Sequence, residues 1–324
     1  MNSIAIIGCG LIGKKRGLSA LELNKDIKYV YDLKKDSAKN LAKELSAIPV
    51  NQIKEIFDDN SIDLVVISTS HNVLHEIAEM AIKSNKNVLI EKPSGINLSE
   101  VLNLREISKA SKSKIKIGFN YRFHPAILKS KELIQLGMIG DVTHIRARHG
   151  HGARYGYESE WRCNKELSGG GELLDQGSHI IDLCNMFIKG LNLKYSSTQN
   201  YFWNVSVEDN CFLALENDEK QMSWIHVSWT EWKNLFSFEI FGKYGKISIE
   251  GLGGSYGVET LKFYKMSSEM GPPYTKIYEY PQKDKSWIEE LKEFELSINE
   301  NRDASGNLDD AINVWKIIDK VYSI

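Results

Sequence analysis

The sequence has no surplus of either charge, no clustered cysteines and little proline. Forty-one Lys and Arg stand against 43 Asp and Glu, a net charge of −2 at pH 7, so no basic excess points to nucleic acid or to an anionic membrane surface. The four cysteines, Cys9, Cys163, Cys184 and Cys211, lie far apart, form no C-x-x-C pair and share no zinc-type spacing with histidine. They are expected to be buried free thiols in a reducing compartment, and no metal site is expected. No uncharged apolar run has membrane-spanning length, and the first residues lead into a strand instead of a basic and then apolar leader. These readings place the protein in the cytoplasm and off the membrane. Six prolines in 324 residues, with no repeat or low-complexity tract, leave no obvious flexible linker. Small-molecule chemistry is the class that remains.

What is present is an ordinary globular composition, 42% hydrophobic and 26% charged, in a chain long enough for two cores. Ile4 to Ile7, Ile27 to Tyr31, Leu64 to Ile67, Asn87 to Ile90 and Ile115 to Gly118 are short apolar runs with strand character. Helical spacing fills Ser37 to Ser46, Asn72 to Ser84 and Ser99 to Ser111 between them. That alternation predicts an α/β fold beginning with a doubly wound parallel (Rossmann) sheet over residues 1–120, with ligands at the carboxyl ends of its strands. From 121 to 324 the texture changes to a helix-prone stretch followed by closely spaced β segments: Thr143 to His149, Lys194 to Val205, Cys211 to Glu216, Met222 to Thr230, Phe236 to Phe241 and Lys246 to Glu250. Helices are expected at Trp287 to Glu300 and Leu308 to Tyr322. The second domain is therefore expected to be α+β, with a mostly antiparallel, open sheet. Trp224, Trp229 and Trp232 with Phe236, Phe238 and Phe241 read as sheet core or subunit interface. An open sheet with one uncovered face calls for a partner, so a homodimer or homotetramer through this sheet is expected.

Gly8-Cys9-Gly10-Leu11-Ile12-Gly13 sits between the first strand and a helical stretch. A G-x-G-x-x-G loop in that context lets the backbone turn tightly, lets a pyrophosphate approach and aims free helix N–H groups at it. Asp32 ends the second strand, where a carboxylate accepts both ribose hydroxyls and repels a 2′-phosphate. The cofactor expected is NAD. Leu18, Leu21 and Leu23 are expected to form the buried face of the helix. Lys14-Lys15-Arg16, cationic where the helix dipole disfavours cations, lies either near the pyrophosphate or on a solvated face.

Glu91-Lys92-Pro93 follows the fourth long parallel strand, where the fold places the nicotinamide end, and a lysine there can donate to a substrate oxygen. Gly169-Gly170-Gly171 precedes a helical segment in which Asp175, His179 and Asp182 share one face. Three glycines imply a backbone passing close to something. The polar face offers a base of suitable type and a carboxylate to orient it or to hold a substrate hydroxyl.

These segments, with Gly118-Phe119-Asn120-Tyr121-Arg122-Phe123-His124-Pro125 and Trp161-Arg162, occur in the order found in the glucose-fructose oxidoreductase/inositol dehydrogenase/MocA family of NAD(P)-dependent oxidoreductases, which the whole chain resembles. The resemblance implies Lys92, Asp175 and His179 as catalytic residues: His179 takes the proton of a sugar or cyclitol hydroxyl while hydride leaves the same carbon, Lys92 polarises that oxygen and Asp175 orients the substrate. It implies cofactor contacts from Gly8, Gly10, Leu11, Ile12, Gly13, Asp32, Ser68, Thr69, Asn72, His75, Glu91, Lys92, Asn120, Trp161 and Arg162. It implies no metal. Asp182 either supports the site or is a helix-surface acid. Arg122, His149, Arg154 and Tyr155 join Lys92, Asp175 and His179 as expected substrate contacts. Arginines there suit an acidic or nucleotide-linked sugar, and a solvated loop accounts nearly as well for Arg154 and His151. The expected activity is an NAD-dependent dehydrogenase of a sugar, cyclitol or sugar derivative. A glycosidase using bound NAD for transient oxidation, and a non-catalytic regulator that binds the dinucleotide, are the alternatives.

Overall fold

A computed structural model describes residues 3–323. The chain forms two compact units, one of Met1–Phe119, Glu166–Gly169 and Trp287–Ile312, the other of Asn120–Lys165, Gly170–Ser286 and Asn313–Ile324.

The first unit begins β1 (Ser3–Ile7), α1 (Leu11–Glu22), β2 (Asp26–Tyr31), α2 (Lys35–Leu45), β3 (Ile48–Pro49), α3 (Lys54–Asp58), β4 (Leu64–Ile67), α4 (His71–Lys83), β5 (Asn87–Ile90), α5 (Leu98–Ser108) and β6 (Ile115–Ile117). The six strands lie in the order β3-β2-β1-β4-β5-β6 and every pair is parallel. This is the doubly wound sheet expected. Its strands are continuous apolar runs because both faces are covered: Ile4, Ile6, Leu64, Val66 and Leu89 join Leu41 and Leu45 of α2 in one buried cluster. Leu291 and Phe294, from a helix far along the chain, complete that cluster, and burying side chains of this size stabilises by about 1.5–3 kcal/mol each. The start of α5 is fixed locally. Asn97 Oδ1 accepts the Glu100 N–H at 2.9 Å while a Glu100 carboxylate oxygen accepts the Ile96 N–H at 2.8 Å, a reciprocal cap.

In α1 the buried face differs from expectation. Leu18 and Leu21 are exposed, and Gly13, Gly17 and Ala20 face the sheet. Small residues at that spacing let the helix lie so close that a Cβ on Gly17 would meet Leu45 Cδ1 at 2.4 Å. Arg16 is buried as well, which neither a pyrophosphate contact nor a solvated face predicts. Its Nε donates to Glu91 at 2.6 Å, Nη1 donates to Glu290, and the guanidinium lies 4.5 Å over the Trp287 ring. Lys14 pairs with Glu44 at 2.6 Å.

The second unit contains α6 (Pro125–Gln135) and β7 (Val142–Gly150), then, after the short α7 (Lys165–Ser168) of the first unit, α8 (Ser178–Phe187). Seven further strands follow: β8 (Asn192–Gln199), β9 (Asn210–Glu216), β10 (Met222–Ser228), β11 (Leu235–Gly242), β12 (Gly245–Glu250), β13 (Glu259–Lys265) and β14 (Tyr274–Tyr280). α9 (Ser286–Asn299) and α10 (Leu308–Tyr322) close the chain. The eight strands run β14-β13-β12-β11-β7-β10-β9-β8, antiparallel except for the β7–β10 pair. β13 and β14 carry many polar residues and were not legible as strands. β8 stops at Gln199, short of the expected Val205, because Asp209 accepts the backbone N–H groups of Tyr201, Phe202 and Trp203 and turns the chain away. Of the aromatic group, Trp229, Phe236 and Phe238 are core, while Trp224 and Trp232 are exposed. No helix among the described residues is long and apolar enough to cross a membrane.

Candidate active site

In the first unit the sheet order reverses between β1 and β4, and the loops leaving these two strands meet. Gly8 has φ +96°, and a Cβ on it would lie 2.5 Å from Ser68 O. A Cβ on Gly13 would lie 2.0 Å from Gly8 O. Both glycines are thus required by the protein's own backbone. Gly10 differs: a Cβ there would meet nothing within 4 Å. Gly10 also begins α1, which has no side-chain cap and no acidic residue in its first turn, leaving its N–H donors to an incoming acceptor. Leu11, 70% exposed, and the half-buried Ile12 open the helix. Asp32 Oδ2 accepts the Cys9 N–H at 2.8 Å and Oδ1 accepts the Lys34 N–H at 2.8 Å, so the carboxylate is fixed beside the glycine loop. Burial, then the Asp32 charge, pushes the Cys9 thiol up to about 12. Ser68 Oγ donates to Gly8 O at 2.8 Å, and Thr69 and Asn72 follow in the partly buried start of α4. His75 turns to α5, its Nε2 2.9 Å from Asn103 Oδ1. His71, which sequence reasoning passed over, is buried and its Nδ1 lies 2.8 Å from Ser168 O. These features fit a dinucleotide: an open space at the loop's one unhindered glycine, helix N–H donors that no side chain caps, and a fixed carboxylate.

Glu91-Lys92-Pro93 follows β5, with a cis Lys92–Pro93 peptide. The carboxylate of Glu91 is held by Arg16 at 2.6 Å, which anchors the residue preceding Lys92 to α1.

In the second unit, residues Leu173–Gly177 form a π-helical turn that runs directly into α8. Single π turns recur at functional sites, and this one carries Asp175. Asp175 Oδ2 accepts from Arg162 Nε at 3.1 Å, and the Arg162 guanidinium lies 4.7 Å over the Trp161 ring. The triglycine passes close to Glu208: a Cβ on Gly171 would fall 2.0 Å from Glu208 O. Glu208 Oε1 accepts the N–H groups of Gly171 and Leu173 at 3.0 and 3.1 Å and the Tyr322 hydroxyl at 2.7 Å. Burial pushes the Glu208 carboxyl up against these hydrogen bonds. Glu208 thereby sets where the Asp175–His179 segment starts.

His179 is 6% exposed, and its ring stacks on Tyr121 at 4.0 Å with 9° between planes. Tyr121 was not singled out from sequence, although it lies within the Gly118 to Pro125 segment that was. Its hydroxyl is 3.0 Å from His149 Nε2, and His149 Nδ1 is 3.0 Å from Leu235 O. A carbonyl only accepts, so Nδ1 carries the proton, and the neutral ring takes the Tyr121 O–H at Nε2. Burial, reinforced by nearby acidic groups, raises the Tyr121 phenol well above its ordinary range. Asn120 donates to Ser286 Oγ at 2.9 Å. Asp182 is buried, not a surface acid, and accepts from Arg122 Nε and Nη2 at 2.7 and 2.5 Å. Arg154 pairs with Glu160, and Tyr155 is fully exposed.

Two family models match in register with the two parts of the chain: the NAD-binding Rossmann fold of the oxidoreductase family over residues 2–119 and the GFO/IDH/MocA C-terminal domain over residues 127–248. The chain belongs to the GFO/IDH/MocA oxidoreductase family. This family member is similar to trans-1,2-dihydrobenzene-1,2-diol dehydrogenase of Xenopus laevis, 29% identical over 190 residues, 58% of this chain and 56% of that protein. It is similar to levoglucosan dehydrogenase of Pseudarthrobacter phenanthrenivorans, 27% identical over 201 residues, 57% of this chain and 51% of that one. The chain thus spans little more than half the length of these curated relatives. A structure of levoglucosan dehydrogenase in complex with NADH shares the fold, with a TM-score of 0.89 at 20% identity, covering 99% of this chain and 97% of that one. Residues 2–119 are the NAD-binding Rossmann domain of that oxidoreductase family.

The Tyr121–His179 stack makes a separate expectation. Tyr121→Leu removes the ring that fixes the imidazole plane and is expected to lower kcat by about 10- to 100-fold, whereas Tyr121→Phe keeps the stack and most of the activity. Steady-state kinetics check this, with the Kd for NAD unchanged in both variants. Wild-type kcat in the leucine variant would remove the role.

Proposed function

We propose that the protein is a cytoplasmic NAD-dependent dehydrogenase acting on a secondary alcohol of a sugar, cyclitol or related polyol. The observation that carries this reading is the pairing of Asp175 and a ring-stacked His179 on one π-to-α segment, in a chain whose first unit is an NAD-binding domain. Relatives named as dehydrogenases of a diol and of levoglucosan support it, and free cysteines support a reducing compartment.

NAD, when bound, supplies the hydride acceptor. Gly8, Gly10, Leu11, Ile12 and Gly13 would hold its pyrophosphate, and Asp32 would accept the ribose hydroxyls and disfavour a 2′-phosphate. Ser68, Thr69, Asn72, Glu91, Asn120 and Trp161 complete the cofactor contacts, with His75 and Arg162 contributing through their neighbours. His179 accepts the substrate hydroxyl proton as the carbon is oxidised, and in the reverse direction returns it. The Lys92 ammonium donates to the same oxygen and favours its negative form. Asp175, itself oriented by Arg162, receives a neighbouring hydroxyl. The deciding experiment is absorbance of reduced nicotinamide with sugars and cyclitols, using Lys92→Ala as control.

We also propose a homodimer or homotetramer through the outer face of the eight-stranded sheet. One row across that face carries exposed Tyr195, Trp224 and Ile277, with the Arg146–Glu239 pair between them. Light scattering at micromolar concentration is expected to give a multiple of the monomer mass. Monomer mass alone contradicts the proposal.

A further inference from the structure

We infer that the substrate is an uncharged polyol and not a carboxylate, phosphate or nucleotide-linked sugar, because Arg122, Arg154 and Arg162 of the second unit are each matched by a carboxylate of the protein. The inference rests on the dehydrogenase reading above and deepens it.

A bound carboxylate or phosphate needs donors in a fork geometry whose charge is not already neutralised. Arg122 directs Nε and Nη2 onto the two oxygens of Asp182 at 2.7 and 2.5 Å, and both partners are buried. A second anion there would have to displace a closed bidentate pair. Arg162 Nε is on Asp175 at 3.1 Å, and its Nη1 is 3.9 Å from Glu160. Arg154 pairs with the same Glu160. Two guanidinium groups therefore share a carboxylate, and one of them holds a second.

Two histidines are engaged in hydrogen bonds of their own. His149 is buried, its Nε2 lies 3.0 Å from the Tyr121 hydroxyl, and its Nδ1 donates to Leu235 O. His151 Nδ1 accepts the Ala153 N–H at 2.8 Å, and burial holds that ring below its ordinary range. Burial, and then neighbouring acidic groups that include Asp175 and Glu172, raise the phenols of Tyr121 and Tyr256. Surroundings in which each of these arginines already has its counter-charge give an anion little to pair with. They suit hydroxyls, which donate to a carboxylate and accept from a guanidinium that already has its counter-charge. This departs from the expectation that Arg154 and Arg162 clamp an acidic group.

The test is kcat/KM at saturating NAD for matched compounds: a neutral hexose, its uronate and its phosphate ester, and an inositol with its phosphate. The neutral member of each set is expected to be favoured by about tenfold or more, with a KM insensitive to ionic strength. Glu160→Gln, which releases Arg154 from its pair, is expected to raise kcat/KM for the uronate by about threefold or more and leave the neutral hexose unchanged. A wild-type preference for uronate or phosphate, with a KM that climbs with salt, overturns the inference and leaves the dehydrogenase standing. No gain for the uronate in the Glu160 variant also overturns it. NAD binding without reduction by any compound overturns the dehydrogenase reading itself, and this inference with it.

Discussion

Replacing His179 by asparagine is expected to lower kcat for alcohol oxidation by about 10²- to 10⁴-fold, the usual contribution of a positioned general base, while the Kd for NAD stays within about twofold of wild type. Asparagine keeps a polar group at the position of the imidazole but loses the ring stack on Tyr121, whose own share is measured by Tyr121→Leu. It cannot take a proton. Because the role assigned to His179 is to accept the hydroxyl proton, oxidation by the wild type is expected to slow as pH falls and the imidazole arrives already protonated. The asparagine variant should lose that dependence along with most of its rate. Steady-state kinetics across pH, with NAD binding measured by fluorescence quenching, check both parts. An unchanged kcat in His179→Asn would assign the proton to another group.

The second large effect lies in the glycine loop. Gly13→Ala puts a Cβ 2.0 Å from Gly8 O and 2.9 Å from Ser68 Oγ. The first of these is backbone, which cannot swing aside, so α1 or the loop must move. Overpacking of this kind costs about 1–3 kcal/mol, equivalent to a rise in Kd for NAD of roughly 10- to 100-fold if it falls on the binding geometry, with a lower Tm. Gly10→Ala provides the contrast, since its Cβ enters open space. That variant is expected to keep the wild-type Tm and still bind NAD more weakly, because the space is where the pyrophosphate approaches. Calorimetric melting and NAD titration of both variants separate the two causes. A Gly10 variant with wild-type affinity would mean that the loop does not hold the cofactor.

The parallel sheet was legible because each of its main strands is a continuous apolar run bracketed by turn residues. Leu64–Ile67 and Asn87–Ile90 have the expected bounds. β14 was not legible because it lies at the edge of the open sheet and is exposed almost throughout; β13 does alternate, with Leu261 and Phe263 buried between Thr260, Lys262 and Tyr264, and its short apolar signal was passed over. The buried face of α1 was misread for a related reason. Hydrophobicity favours leucine, but close helix–sheet approach selects glycine and alanine, and Leu18 and Leu21 are left outside. Arg16 carries the same lesson, since a charge in sequence gives no sign that Glu91 and Glu290 will bury it.

In the site, local spacing was informative and long-range contacts were not. The placement of Asp175 and His179 on one segment could be read from their separation, although the π turn between them could not. Glu208 is 37 residues from Gly171, and no local pattern ties them. The triglycine announced only that a close neighbour exists. Tyr121 is 58 positions from the His179 ring on which it stacks, and only the fold joins them.

Oxidation of a hydroxyl carbon with NAD is tested most directly by near-ultraviolet absorbance of reduced nicotinamide, in mixtures of the protein with NAD or NADP and a panel of neutral sugars and cyclitols. The expected result is reduction of NAD, much weaker use of NADP because of Asp32, and loss of the signal in Lys92→Ala. Tight NAD binding with no reduction by any member of the panel would contradict the dehydrogenase reading.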